Sequence, residues 1–476
     1  MKKILSIFGV VLACFASSAK LQKQNVLFII ADDLNCNMGA YGHYMAKTPN
    51  LDRLAEEGIS FHNAFCNFPL CGPSRVSMMT GLYPDQSTIV KLRTLVRDRL
   101  PDVTTMSQNF MKNGYTAARV GKIYHYDNPK AIGTPGHDDP ASWQHRVYPK
   151  GRDRDEHDLC HTIKVGKSGG QLWYAADGAD EEQTDGMVAT ESIKLLEEYA
   201  KTDRPFFLGV GFYRPHLPYI APKKYFEMYD KTQICVPEIP EGYLATLPIP
   251  AQKTLSKFSG KNKLSTEDAR IAIKAYYACI SFVDAQVGRI MNSLDKLGLK
   301  EDTIVVFTSD HGYHMGEHAH FKKNTLFDDS DRIPMIVSYP TMQEKGKRSV
   351  SIVEMIDLYP TLSELVGITV PDFVAGKSFV PVLKNVHNES RESAFTQRNE
   401  GYTVRTKQYR YTRWLEGGAD MIEFYDIKDD PAEMRNLARD PNWQNEIEIM
   451  DQLLDKRIAE GSVKPKGIKV IYPERN

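Results

Sequence analysis

Apolar and polar positions follow two periods along this chain, and together they predict an α/β fold. Asn25-Val-Leu-Phe-Ile-Ile30 is an unbroken apolar run, the pattern of a central parallel strand buried on both faces. Thr116–Gly121, Pro205–Phe212, Thr303–Thr308 and Pro334–Tyr339 read as further strands. Between them the period lengthens. Ile273, Tyr277, Ile280, Val283, Val287, Ile290, Leu294 and Leu297 recur at steps of three and four, which predicts one long helix over Thr266–Leu297 with Gly298 as its stop. Thr48-Pro49 opens a shorter helix through Leu51, Leu54 and Ala55, and Gly58 closes it. Another helix is expected over Val353–Val366, interrupted at Pro360. Strands alternating with helices predict a mostly parallel central sheet flanked by helices.

Two stretches break this pattern. Residues 126–185 are polar and rich in Gly, Asp and Pro, and read as a long excursion near the mouth of a site. Residues 386–476 change register. Tyr402–Arg405, Tyr409–Trp414 and Glu423–Asp426 read as short antiparallel strands, with a helix around Asn442–Ile458. This predicts a smaller C-terminal α+β subdomain after a main domain over 20–385.

The first residues are expected to be removed. Lys2 and Lys3 precede an apolar stretch at 4–16, and Ser17-Ser18-Ala19 offers small residues for cleavage before Lys20. A signal peptide over 1–19 implies a secreted or periplasmic protein. Val11-Leu-Ala-Cys14 also loosely resembles a lipoprotein cleavage box, and a lipid on Cys14 would bring the protein to a membrane. The chain has 476 residues with a net charge of -1, so no overall basic excess points to nucleic acid. Of seven cysteines, six follow the cleavage point and none form a C-x-x-C pair. If Cys71 is taken for chemistry, an odd number remains and complete pairing is excluded, although a single bridge stays open.

Chemistry concentrates at the strand ends. In parallel α/β sheets ligands bind beyond the carboxyl ends of the strands. Here one strand runs into Asp32-Asp33, a second into Lys122 and His125, a third into Tyr213-Arg-Pro-His216, and a fourth into Asp310-His311. Any one of these alone would read as a surface turn. Together they gather carboxylates, histidines and a lysine on one sheet edge. Carboxylates brought that close repel one another, and a hard divalent cation such as calcium or magnesium resolves the repulsion. The imidazole of His311 keeps zinc or manganese open.

Phe68-Pro-Leu-Cys71-Gly-Pro-Ser74-Arg75, with Thr80-Gly81 downstream, is the segment that carries most information. With it the chain resembles the type I, formylglycine-dependent sulfatases, within the alkaline phosphatase superfamily. Cys71-Gly-Pro-Ser-Arg75 and Thr80-Gly81 resemble the motif at which cysteine is oxidised to formylglycine, with Met79 where the family usually has Leu. The iduronate-2-sulfatase branch and polysaccharide sulfatases are most similar. The matching pieces are Asp32-Asp33-Leu34, Val120-Gly-Lys122-Ile-Tyr-His125, Arg214-Pro-His216-Leu-Pro218, Ser309-Asp-His-Gly312 and Gly316-Glu-His318. Tyr402–Arg405 and Tyr409–Tyr411 match as well. Many members have Asn where this branch and this chain have His311.

The resemblance implies an alkaline-phosphatase-like sheet and a set of roles. Asp32, Asp33, Asp310 and His311 would hold one calcium ion, with formylglycine made from Cys71 as a further ligand. Arg75 would orient the formylglycine, and Lys122, His125, His216 and Lys323 would surround the sulfate, with Lys322 as the rival for the last position. A hydrated aldehyde carries two hydroxyls. One would attack sulfur while His216 protonates the leaving alcohol; the other, losing its proton to His125, would expel sulfate. The implied partners are a sulfated carbohydrate and a formylglycine-generating maturation enzyme. The implied substrate is a 2-O-sulfated uronic acid of glycosaminoglycans, or an algal polysaccharide such as ulvan. Lys91, Arg93 and Arg97 are candidates for a substrate carboxylate, and equally a solvated basic face. Two other readings remain. One is a phosphodiesterase or phosphonate hydrolase of the same superfamily. The other is a non-catalytic protein binding sulfated glycan or metal, with His311, His314, His318 and His320 as a zinc cluster.

Overall fold

The computed structural model describes residues 24–164, 170–255, 263–398, 401–415 and 421–473. The signal-peptide expectation and Cys14 lie outside them. The strands are β1 (Asn25–Asp32), β2 (Ile59–Phe65), β3 (Thr116–Gly121), β4 (His145–Val147), β5 (His161–Lys164), β6 (Gly170–Ala176), β7 (Phe206–Pro215), β8 (Tyr219–Pro222), β9 (Thr303–Ser309), β10 (Met335–Ser338), β11 (Lys347–Glu354), β12 (Ala394–Arg398), β13 (Gly401–Arg405), β14 (Tyr409–Trp414) and β15 (Ile422–Asp426). The principal helices are α1 (Pro49–Glu57), α2 (Cys71–Thr80), α3 (Thr184–Tyr199), α4 (Thr266–Lys296), α5 (Leu358–Leu365) and α6 (Gln444–Gly461).

The central sheet has eight strands in the order β11-β2-β10-β9-β1-β7-β3-β4. All run in one direction except β10, which is antiparallel to both β9 and β2. β1 sits at the middle, in parallel register with β7 (Val26 against Phe207) and β9 (Val26 against Ile304). Its alternate residues serve two cores. Leu27, Ile29 and Ala31 pack with α3 and α4 on one face, and Val26, Phe28 and Ile30 pack with α2 and α5 on the other. This is why the run is apolar throughout. Among the described residues no helix is long and apolar enough to cross a membrane.

α4 begins where Ser265 Oγ accepts from the Asp268 backbone N–H at 3.0 Å. In α1 the cap comes from a distance: Asp284 of α4 accepts from the backbone N–H groups of Asn50 and Leu51 at 3.0 and 2.8 Å. The C-terminal strands form an antiparallel sheet, β12-β13-β14-β15, that buries Phe395, Val404, Tyr411 and Phe424 against Ile447, Met450 and Leu454 of α6.

Several expectations are corrected. Val353 and Glu354 end β11, and α5 starts only at Leu358. Pro360 lies in its first turn, where no intrahelical N–H is needed, so it interrupts nothing. Residues 126–185 are not one loop; they carry β4 and the antiparallel pair β5–β6, and β6 pairs with β8. β2, β4, β5, β6, β8, β11 and β12 have no counterpart among the strands the sequence pattern predicts. The described cysteines are free thiols, so no bridge forms among them.

Candidate functional site

The site forms where β1, β3, β7 and β9 end. β1 delivers Asp32 and Asp33, and the chain after β9 delivers Asp310 and His311, all fully buried. Asp33 leaves the strand in the left-handed region, with φ of 65°. Tyr276 of α4 fixes this bend, its hydroxyl donating to the Asp33 carbonyl at 2.7 Å and accepting from the Asn35 N–H at 3.0 Å. The Asp310 carboxylate accepts from the backbone N–H of both Asp33 and His311 at 3.1 Å, which ties the two strand ends together.

α2 points its first residue at this edge. Cys71 Sγ lies 3.8 Å from Asp33 Oδ1 and 3.3 Å from His311 Nε2, and the residue is 1% exposed. Two glycines of the motif have steric reasons. A Cβ on Gly72 would come within 2.2 Å of the Leu92 carbonyl oxygen, and Gly81 turns the chain out of the helix with φ of 68°. Ser74 Oγ donates to the Asp310 carbonyl at 2.5 Å. Arg75, one turn after Cys71, donates from Nε to Asp310 at 2.9 Å and from Nη2 to Asp32 at 3.0 Å. Its Nη1 donates to the Lys122 and Ile123 carbonyls at 2.7 and 3.0 Å. The guanidinium is thus spent on the carboxylates and on the end of β3.

Two lysines complete the cluster. Lys122 Nζ donates to Asp32 Oδ2, and Lys323 Nζ reaches both oxygens of Asp33 at 2.6 Å. Of the rivals Lys322 and Lys323, the latter reaches the cluster, through Asp33. Burial works against the Asp32 charge, but Lys122, with His216, Arg75 and Lys323, outweighs it and holds the carboxyl well below its usual range. Burial pushes the Asp33 carboxyl up, because Lys323 only partly offsets it and Asp32 stands beside it. The Cys71 thiol is pushed far up by burial, so the unmodified residue is a thiol and a poor nucleophile.

Carboxylate oxygens of Asp32, Asp33 and Asp310 lie within 4.8 Å of one another, and Cys71, Asp310 and His311 form a second such triple. His311 Nδ1 faces the Gly312 carbonyl at 2.9 Å, which assigns its proton there and leaves the Nε2 lone pair toward Cys71. A buried, oxygen-rich set with one imidazole fits a hard divalent cation. Three carboxylates are balanced by Arg75, Lys122 and Lys323. An added dication therefore leaves the site positive and suited to an anionic ester.

The sulfatase family model matches residues 24–368, which spans every residue of this cluster. The chain belongs to the sulfatase family. A second model, described as the C-terminal region of N-sulphoglucosamine sulphohydrolase, matches residues 316–460. Iduronate 2-sulfatase of Homo sapiens is 28% identical over 504 residues, covering 87% of this chain and 91% of its own. A solved 2-O GAG sulfatase is 25% identical with a TM-score of 0.73, over 95% of this chain and 95% of that one. A phosphonate monoester hydrolase of Agrobacterium radiobacter, 24% identical with a TM-score of 0.76 over 95% and 100% of the two chains, shares the fold. The protein is an enzyme, a sulfatase that hydrolyses sulfate esters.

Two histidines of this sulfatase border the cluster. His216 Nε2 lies 3.8 Å from Asp33 Oδ2, and its Nδ1 faces the Leu217 carbonyl at 2.6 Å. Burial, then Lys323, hold the ring neutral, well below its usual range. His125 stacks on His137 at 5.4 Å, and the two rings share the Asp127 carboxylate at 3.4 and 3.3 Å. Burial and the neighbouring Lys122 pull His125 down to about 3. Of the basic trio, Arg93 and Arg97 pair with Asp127 and Asp139 at 2.9 and 2.6 Å. The proposed zinc cluster divides: His314 packs against His318 and His320 at 5.5 and 5.3 Å, while His311 turns to Cys71.

Sequence reasoning missed Tyr276, Asp127 and His137. Tyr276 sits beside the apolar stripe of α4, and nothing in the local pattern marks a residue 243 positions from Asp33 as its support. Asp127 had a faint signal, two residues after His125.

Proposed function

We propose that this sulfatase is an exported enzyme that removes sulfate from a 2-O-sulfated uronic acid in a polysaccharide or its fragments. Its nucleophile is formylglycine made from Cys71, beside one calcium ion. The observation that carries this reading is the Cys71 side chain, buried at the head of α2 between Asp33 and His311, with Arg75 of the same helix bridging Asp32 and Asp310. The names of the two sulfatase relatives support the sugar and the position of the ester.

Oxidation of Cys71 to the aldehyde supplies, when hydrated, one hydroxyl to attack sulfur and a second to release sulfate. Asp32, Asp33, Asp310 and His311 would hold the calcium ion, which when bound would supply Lewis-acid polarisation. Lys122, fully buried, and Lys323 stabilise negative charge gathering on the sulfuryl group. Arg75 keeps Asp32 and Asp310 in position for the ion. His216 presents Nε2 to the cluster and is assigned the proton that goes to the leaving alcohol. An anionic ester beside this ring offsets Lys323 and Lys122 and raises its affinity for that proton. His125 is assigned the proton lost when sulfate leaves.

Residues 1–19 are proposed as the signal peptide, 20–385 as the catalytic domain and 386–476 as the C-terminal subdomain. Cys71 is buried in the fold, which supports its modification by a formylglycine-generating enzyme before the chain closes over it.

The test is sulfate release followed by ion chromatography, after co-expression with a formylglycine-generating enzyme and supply of calcium. Heparan, dermatan and ulvan oligosaccharides serve as substrates, with phosphonate esters as the rival arm. Release from uronate-containing glycans, lost on chelation and restored by calcium, is the expected result. Hydrolysis of phosphonate esters alone would overturn the reading.

A further inference from the structure

Beside the carboxylate cluster, three polar side chains from one short segment converge. His125 follows β3, and Asp127 and His137 lie in the chain between β3 and β4. The backbone N–H of His137 donates to the His125 carbonyl at 2.9 Å, which folds the segment back on itself. The two imidazoles stack 21° from parallel. Each turns Nε2 to a different oxygen of Asp127, His125 at 3.4 Å from Oδ1 and His137 at 3.3 Å from Oδ2. These separations are long for N–H···O hydrogen bonds, which cluster near about 2.9 Å. They match the edge of a tetrahedron around zinc, about 3.4 Å for bonds of about 2.0–2.1 Å. One donor atom from each of the three residues lies within 4.8 Å of the other two. The donors are also in the state a metal needs. Burial, then Lys122, pull His125 down to about 3 and leave its ring neutral. Burial acts slightly against the Asp127 charge, but Arg93 and His137 outweigh it and hold the carboxyl at about 2. Asp127 and His137 are partly exposed, so an ion reaches the trio from solvent.

We propose that His125, Asp127 and His137 form a second metal site, which takes a divalent transition ion such as zinc and switches turnover off when filled. Two imidazoles and one carboxylate suit such an ion better than calcium, and leave a fourth position open to water. No residue is shared with the proposed calcium set. Arg93, itself exposed, donates to Asp127 Oδ1 at 2.9 Å. It stays as an outer partner of a carboxylate bound through Oδ2. The switch follows from the proton count. A neutral imidazole carries one N–H. An ion on His125 Nε2 forces that proton onto Nδ1, and the ring then has no lone pair for the proton lost as sulfate leaves. Nδ1 is buried without a hydrogen-bond partner among the described residues, so no existing bond opposes the change of tautomer. Binding rests on the geometry of the trio; inhibition rests also on the role proposed for His125.

The test uses the tag-free full chain in saturating calcium, with His137→Gln, which removes a ligand, and His137→Cys, which replaces it. His137 is partly exposed and has no part in the proposed chemistry, so turnover of 4-nitrophenyl sulfate without zinc is expected to hold in both. Zinc is titrated calorimetrically into Cys71→Ala, which takes that thiol out of competition, and into Cys71→Ala/His137→Gln. Affinity for one zinc per chain is expected to be at least about tenfold lower in the second. In the matured protein zinc is expected to lower kcat for 4-nitrophenyl sulfate. His137→Gln is expected to need at least about tenfold more zinc for the same loss, and His137→Cys to stay closer to the parent. Equal zinc affinity with and without His137 would overturn the site. Equal inhibition of the parent and His137→Gln would assign the effect to displaced calcium and overturn the switch. Zinc bound through His137 in a matured chain that hydrolyses no sulfate ester supports the site and overturns the reading of Cys71 instead. Formylglycine-dependent turnover that zinc leaves unchanged overturns the switch and keeps that reading intact.

Discussion

Two buried ionic clusters, whose members come within five residues of each other in sequence at Lys323 and Asp328, are built in opposite ways. At the edge of the main sheet, Asp32, Asp33 and Asp310 meet Arg75, Lys122 and Lys323 around a buried thiol. At the joint with the C-terminal sheet, Arg410 of β14 pairs with Asp328, Asp331 and Glu433. Both are dry. In the joint, one fork-shaped guanidinium gathers the carboxylates, donating to Asp331 at 2.8 and 3.0 Å and to the Leu326 carbonyl at 2.7 Å. In the sheet-edge cluster the carboxylates come from two strand ends, two of the three cations are lysines, and a cysteine and two histidines look inward. Burial of charge alone does not mark a reaction centre. Convergence of oxygens from different strands on one potential nucleophile is what supports the proposed one.

The sharpest way to break this comparison is at Cys71. Cys71→Ala removes a small buried side chain, so the melting temperature stays close to that of the parent, while kcat/KM falls roughly a thousandfold or more. Retained turnover in a formylglycine-producing host would put the reaction elsewhere. Next comes the lysine pair. Lys323→Ala leaves Asp33 without its counter-cation and is expected to lower kcat/KM by about a hundredfold. Lys322→Ala, measured on 4-nitrophenyl sulfate, is expected to cost well under that. The reverse order would move the sulfate contact to Lys322.

Arg410→Met tests the other cluster. Breaking a buried pair strands its carboxylates and costs about 3–5 kcal/mol of stability, read by denaturant unfolding. Activity per folded molecule is expected to hold. A kcat loss at full folding would show that the joint reaches the chemistry. The smallest effect is expected from His62, outside both clusters, where burial and then Arg348 pull the ring down to about 4 from an ordinary value near 6.5. The unfolded chain takes up this proton first. The contribution is therefore complete above pH 6.5 and lost as pH falls through about 4. His62→Phe, keeping the stack on Tyr41, should flatten the melting temperature across that window. An unchanged slope would assign the acid sensitivity to other groups.

The same contrast explains what the sequence made legible. β1, β7 and β9 are buried on both faces, so each reads as an apolar run. β2 carries His62 and Asn63 in its middle, β11 is an edge strand beginning Lys-Arg, and β4 has three residues. None of these has a periodic signature, and tertiary pairing alone defines them. At the site, residue types and strand-end positions brought Asp32, Asp33, Lys122, His216, Asp310 and His311 into view, and the resemblance supplied Cys71, Arg75 and Lys323. Which cation serves which carboxylate had no local trace. Arg75 is 235 positions from Asp310 and Lys323 is 290 from Asp33. Such pairings are properties of the sheet edge, not of any segment.

The most direct test of the account is to vary the formylglycine content at Cys71 and measure sulfate release from one uronate-containing oligosaccharide. Co-expressing graded amounts of the maturation enzyme sets the content, and peptide mass spectrometry reads it. The account predicts a rate proportional to the fraction converted, passing through zero for the all-thiol protein. A rate independent of that fraction, or substantial release by the all-thiol protein, would contradict it.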